Sequence, residues 1–202
     1  VLRSTTIAFS RHDDQAIAKQ QQAPNPNTDR SRARDHAVIS AGIRQQRTVV
    51  DIDDVISEFR VHFAKHLNEE YDLYPDVESE EYYFITALSK LNMNPEEVFE
   101  KFTDQGGFRD IPVVKGAIEM LQDIRNRGYW IQLLTARPKE NLKCFHDTYH
   151  WLNKNNIPYD AIDFSSEKFR WCAKSRYYDN DAIKFAIDDA PKNVSEYAKH
   201  GI

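Results

Sequence analysis

Cysteine is scarce in this chain: its 202 residues include only Cys144 and Cys172. Two thiols make no disulfide framework in a domain of this size, and neither their spacing nor their neighbours suggest a metal knuckle. They read as reduced thiols in a reducing compartment. Long apolar runs are missing too. No stretch approaches the roughly 20 residues that a bilayer-spanning helix needs, so a soluble protein is expected, with no membrane partner. Basic charge is in short supply: 27 Lys and Arg stand against 32 Asp and Glu, a net of −5. Residues 1–47 hold eight basic and four acidic side chains, a net of +4, which leaves −9 for the rest. An acidic body argues against a nucleic-acid polymer as the main partner, because a phosphate backbone needs a basic surface.

What is there suits an ordinary folded chain. The hydrophobic fraction is 41% and the charged fraction 29%, enough for one α/β domain plus an insertion. Residues 1–46 stand apart. The stretch QQQAPNPNTDRSRARD has no sustained apolar period and reads as a disordered or linker-like tail. The opening VLRSTTIAFSR is conceivable as an organelle-targeting remnant, but Asp13 and Asp14 follow at once and weaken that idea. A cytoplasmic protein is expected, with targeting by the tail left open.

From Thr48 the pattern changes. VVDI is a short strand candidate, and residues 56–112 then read as helical and irregular, with no convincing strand. Pro95 followed by two glutamates makes a good helix start. Beyond Pro112, Val114, Ala117, Ile118, Leu121 and Ile124 fall at helical spacing, with Gly128 placed to stop the helix. YWIQLL (129–134) reads as a strand, and Leu142, Phe145, Tyr149 and Leu152 as the next helical stripe. AIDF (161–164) and FAI (185–187) are further strands, and PKNVSEYAKHG closes with a helix. Strands alternating with helices predict a parallel sheet covered on both faces.

Ligands of such sheets bind outside the carboxyl ends of the strands. Asp51 and Asp53 follow the first strand, Thr135 the second, Ser165 to Lys168 the third, and Asp188 and Asp189 the fourth. All fall on one edge. Carboxylates from two strand ends repel each other unless a cation lies between them, and all-oxygen ligation suits Mg²⁺. A hydroxyl, backbone N–H groups and a lysine offer what a phosphate needs on its other sides. The combination suggests phosphoryl transfer.

DIDDV, LLTARP, SSEK and AIDDAP, in this order and at these strand ends, resemble the haloacid dehalogenase-like (HAD) superfamily over residues 48–201. GGFRDIPVVKGAIEMLQDI and SSEK most resemble the 5'(3')-deoxyribonucleotidase group (5'-nucleotidase type C). The resemblance implies a Rossmann-like parallel core at 47–55 and 113–202, with a helical cap at 56–112 inserted after the first strand. It implies that Asp51 is the nucleophile and that Asp53 protonates the leaving alcohol and then activates water. The carboxylates of Asp51 and Asp188, the carbonyl of Asp53 and, through water, Asp189 would hold Mg²⁺. Thr135, Lys168 and the loop positions Asp54 and Ala136 would bind the phosphoryl group. Asp54 stands where many relatives have Gly, and Val55 where many have Thr. The chain stops at Ile202, where relatives usually add a strand and helix, so a missing sheet edge is expected.

Other features carry blander alternatives. Lys174 lies near Lys168, which is favoured for its distance from the strand. The pairs His62/His66 and His146/His150 lack the further ligands a zinc site needs. Tyr82, Tyr83 and Phe84 could stack on a base, although packing is the default for them; Arg109 is a further substrate candidate. The leading expectation is a Mg²⁺-dependent 5'-nucleotidase acting on a small phosphorylated substrate, a nucleoside or deoxynucleoside monophosphate. A phosphatase of sugar phosphates or nucleic-acid 3'-phosphates, or a non-catalytic binding module, is the alternative. A homodimer stays open.

Overall fold

A computed structural model describes residues 46–75, 88, 92–178 and 183–202. All of these lie in the second of two compact units, 43–202. The tail reading, and Tyr82, Tyr83 and Phe84, fall outside the described residues.

Four strands form one sheet in the order β3-β2-β1-β4: β1 (Arg47–Val50), β2 (Trp130–Thr135), β3 (Ala161–Phe164) and β4 (Ile183–Ile187). Every pairing is parallel, with Val50 opposite both Leu133 and Ile187 and Thr135 opposite Phe164. Side chains alternate across the sheet. Val50, Ile131 and Leu133 therefore enter one core and Val49 and Leu134 another.

The larger core is covered by α1 (Phe59–Tyr71), α2 (Pro95–Asp104), α3 (Ala117–Asn126) and α4 (Leu142–Lys154). The smaller core is closed by α5 (Lys168–Tyr178) and α6 (Pro191–Lys199), through Cys172 and Tyr197. The sheet is thus covered on both faces, as the alternation of elements predicts. Among the described residues no helix is long and apolar enough to cross a membrane.

Local chemistry fixes the helix ends. Asn94 accepts a hydrogen bond from the Glu96 N–H at 3.0 Å, with Pro95 at the first position of α2. Asn141 caps α4 in the same way through Cys144; this satisfies N–H groups that a helix start leaves without partners. Between α1 and α2 lies an aromatic cluster. Phe63 meets Phe102 edge-on at 5.0 Å, and Phe102 meets Phe108 at 5.2 Å.

Two elements differ from their sequence patterns. In α4 the buried face is Cys144, Asp147, Thr148, Trp151 and Leu152, while Leu142 is exposed. The apolar stripe was offset because this face includes two buried polar groups, Asp147 in ion pairs with Arg109 and Lys143 and Thr148 in hydrogen bonds with Arg137 and the Cys144 carbonyl. The helix α5 has no apolar stripe in KFRWCAKSRYY, and periodicity alone does not reveal it.

Candidate active site

β1 ends at Val50, so the next residue, Asp51, leaves the sheet at its carboxyl edge. The Asp51 N–H still donates to the Ile187 carbonyl at 2.9 Å, extending the ladder by one step. The Asp51 carboxylate is buried, and its Oδ1 accepts from the Ile52 N–H at 2.7 Å. Lys168, the first residue of α5, reaches across and pairs with Asp51; its Nζ also donates to Asp188 Oδ2 at 3.0 Å. Lys174 is exposed. The structure thus brings Lys168, and not Lys174, to the acids.

Asp188 follows β4, and both of its oxygens have partners. Its Oδ1 accepts from the Ala190 N–H at 3.1 Å and from Asn193 Nδ2 at 2.9 Å, across the first turn of α6. Carboxylate oxygens of Asp51, Asp188 and Asp189 lie within 4.8 Å of one another. Three hard oxygen donors at this spacing can hold a divalent cation such as Mg²⁺.

The electrostatics follow from crowding. Burial pushes the Asp51 carboxyl up to about 7; the Lys168 charge opposes this, and Asp53 and Asp188 add to it. Burial works against the Lys168 charge, but Asp51 and Asp188 outweigh it and raise its pKa. Asp189 is likewise raised, by burial first and then by Asp54 and Asp188. Beyond burial, part of the rise at Asp51 and Asp189 comes from neighbouring carboxylates, and a cation placed among them relieves that repulsion.

Asp54 has φ of 57°, the left-handed region that glycine usually fills. Aspartate tolerates this region, and here its side chain is used. Oδ1 accepts from the Arg60 N–H at 2.8 Å in the first turn of α1, which has no cap at Glu58. The Arg60 guanidinium spans Asp54 at 3.4 Å and Asp189 at 3.3 Å. An arginine of the inserted helical segment is thereby tied to the acidic cluster.

Thr135, the last residue of β2, is fully buried, and its hydroxyl accepts from the Arg137 N–H at 3.2 Å. Ala136 beside it is exposed. Thr135 is not a helix cap, since α4 begins only at Leu142, behind its own cap Asn141. Arg109 pairs with the buried Asp147 at 3.5 Å, and Lys143 holds the other oxygen of that carboxylate at 2.6 Å.

The Asp53 side chain turns from the cation cluster to a partner that sequence reasoning missed. Arg137 is buried, with its Nε 3.1 Å from both Asp53 oxygens and Nη2 2.6 Å from Oδ1. Ser57 donates to the same Oδ1 at 3.1 Å. One signal was available in the sequence: TARP puts an arginine two positions past Thr135, on the sheet edge where the acids gather. Arg60 and Asn193 carried no comparable signal.

Residues 45–202 match the model of the family described as 5' nucleotidase, deoxy (pyrimidine), cytosolic type C protein. The chain is 28% identical over 153 residues to a Staphylococcus epidermidis protein named "Putative 5'(3')-deoxyribonucleotidase", covering 74% of this chain and 77% of that one. It is 27% identical over 114 residues to "Putative nucleotidase OB0422" of Oceanobacillus iheyensis, covering 54% of this chain and 58% of that protein. A solved haloacid dehalogenase-like hydrolase, SP0104 from Streptococcus pneumoniae, superposes with a TM-score of 0.52 at 15% identity. That match covers 76% of this chain and 81% of that one. The fold is HAD-like.

Proposed function

The chain belongs to the 5' nucleotidase, deoxy (pyrimidine), cytosolic type C family, and from that premise we propose that it is a Mg²⁺-dependent phosphomonoesterase. Its substrates are nucleoside or deoxynucleoside monophosphates, hydrolysed through an aspartyl-phosphate on Asp51. The observation that carries this reading is the buried meeting of Asp51, Lys168 and Asp188, with Asp53 two residues on and Thr135 at the adjacent strand end.

Each residue has a task that its chemistry suits. An Asp51 oxygen attacks phosphorus in line, the bond from phosphorus to the leaving oxygen breaks, and the Asp53 carboxyl delivers a proton to that oxygen. The Asp53 carboxylate then takes a proton from water. The water oxygen bonds to phosphorus, the bond to Asp51 breaks, and inorganic phosphate leaves. Lys168, the Thr135 hydroxyl and the backbone at Asp54 and Ala136 hold the phosphoryl oxygens. Asp51, Asp188, Asp189 and the Asp53 carbonyl would hold Mg²⁺, which when bound offsets the negative charge gathered around phosphorus.

Residues 56–112 serve as a cap over the core, 47–55 and 113–202. Arg60 ties its first helix to Asp54 and Asp189, a link suited to coupling closure of the cap to a filled site. A cap of this size fits small substrates better than polymer ends, and a cytosolic setting accords with the family's description.

The test is phosphate release from a panel of nucleoside monophosphates, sugar phosphates and a 3'-phosphorylated oligonucleotide, with Mg²⁺ or with chelator. Metal-dependent turnover greatest on the nucleoside monophosphates is expected. Turnover greatest on sugar phosphates or on the oligonucleotide would replace the substrate class, and a folded protein with no turnover on any member would overturn the enzymatic reading.

A further inference from the structure

Arginine 137 is among the most thoroughly enclosed charges of the described residues, with its side chain 1% exposed. Its surroundings fix it independently of Asp53. Nη1 donates to the Thr148 hydroxyl at 3.2 Å, and the guanidinium lies over the rings of Phe108 at 4.9 Å and Trp151 at 5.7 Å. Trp151 is itself pinned, its Nε1 donating to the Ile111 carbonyl at 2.6 Å. Two residues of α4 and an aromatic from the segment before α3 thus hold the fork in one plane. Of the pair it makes with Asp53, the carboxylate is the more open partner, 23% exposed.

We propose that Arg137 is the positioning residue for Asp53, setting which carboxylate oxygen exchanges protons. The inference rests on the phosphomonoesterase reading. Oδ1 is occupied by Ser57 at 3.1 Å and by Arg137 Nη2 at 2.6 Å and Nε at 3.1 Å, whereas among the described residues Oδ2 accepts only from Nε at 3.1 Å. Oδ2 therefore keeps lone pairs for the proton that goes to the leaving oxygen as its bond to phosphorus breaks, and for the proton later taken from water. A rigid fork that meets both oxygens fixes the rotation of the carboxylate, which a lysine's single point of charge does not. Arg137 touches no reacting atom, so its effect runs through Asp53. A buried arginine paired only to stabilise the core would affect all substrates alike.

The experiment compares kcat/KM of the full chain and Arg137→Lys on a nucleoside monophosphate and on p-nitrophenyl phosphate. The first leaving group needs a proton and the second does not. Misplacement of a catalytic group by about 1 Å costs on the order of 10²-fold, so the variant should lose about 10²-fold on the nucleotide and less than about tenfold on the aryl ester. In an Asp53→Asn background the same change should cost less than about threefold, because residues that act as a unit are not additive. Should the lysine variant melt below the assay temperature, Arg137→Gln gives the same comparison. Equal losses on both substrates, or full additivity with Asp53→Asn, overturn the inference while leaving the phosphatase reading intact. A wild-type chain that turns over neither substrate overturns both.

Discussion

Replacing Lys168 with methionine should make the stability of the fold depend on magnesium. The ammonium lies between Asp51 and Asp188 and its side chain is 4% exposed. Methionine keeps most of the length and removes the charge, leaving the buried Asp51 and Asp188 carboxylates with no lysine between them, while Arg60 stays on Asp189. Removing one partner of a buried ion pair costs about 3–5 kcal/mol. Asp51, already pushed up to about 7 by burial, can take a proton, which holds the loss near the lower end, about 3 kcal/mol. For a unit of this size each kcal/mol is worth about 2–4 °C, so in chelator the variant should melt about 6–12 °C below the unsubstituted protein. Magnesium should then recover much of the loss. A lysine charge beside Asp51, Asp188 and Asp189 opposes a second cation, so its removal strengthens binding, and saturation at about 100 times Kd returns about 2.7 kcal/mol. The assay is thermal melting of both proteins in chelator and in excess Mg²⁺, with Lys174→Met as the exposed control that should shift neither. Equal melting in chelator, or a magnesium response no larger in the variant, would refute the reasoning.

Further outcomes follow from the aromatic cluster. A Cβ added at Gly107 would meet the Phe102 ring at 2.3 Å, so Gly107→Ala should cost about 1–3 kcal/mol by overpacking, seen as a lower Tm. Phe102→Leu in the same chain should recover part of it, and an unchanged Tm for the single variant would contradict the packing described. His66 is held below its ordinary value by burial, and its Nε2 has no hydrogen-bond partner among the described residues. The folded state takes up a proton on this imidazole less readily than the unfolded chain, which does so below about 6.5. This contribution to stability is present above that pH and is lost as pH falls. His66→Leu should therefore narrow the Tm difference between pH 7.5 and pH 5.5, and an unchanged difference would show that His66 does not carry it.

The sheet edge was legible in the sequence because each apolar run ends on a polar group. Asp51, Thr135, Lys168 and Asp188 could be placed together once the strands were read as parallel. The partners of those groups were harder to see. Arg137 sits in what reads as a turn, and its environment comes from Thr148 and Trp151 on the face of α4. The apolar stripe pointed instead to Leu142, which is exposed. The burial of Asp147 beside Lys143 and Arg109 was hidden for the same reason. Asp54 looked like a departure from a glycine pattern. Its use, accepting from the Arg60 N–H while the Arg60 side chain reaches Asp189, depends on a helix start that no local sequence signal fixes, since Glu58 makes no cap.

The most direct test of the account is a single-turnover, acid-quench experiment with a phosphorus-labelled nucleoside monophosphate and Mg²⁺. Label bound covalently to the protein and released by mild base, absent from Asp51→Asn and accumulating in Asp53→Asn, is the result predicted for an aspartyl-phosphate resolved by a water that Asp53 activates. Free labelled phosphate formed by the Asp51→Asn variant at the unsubstituted rate, with no labelled protein in any variant, would contradict it.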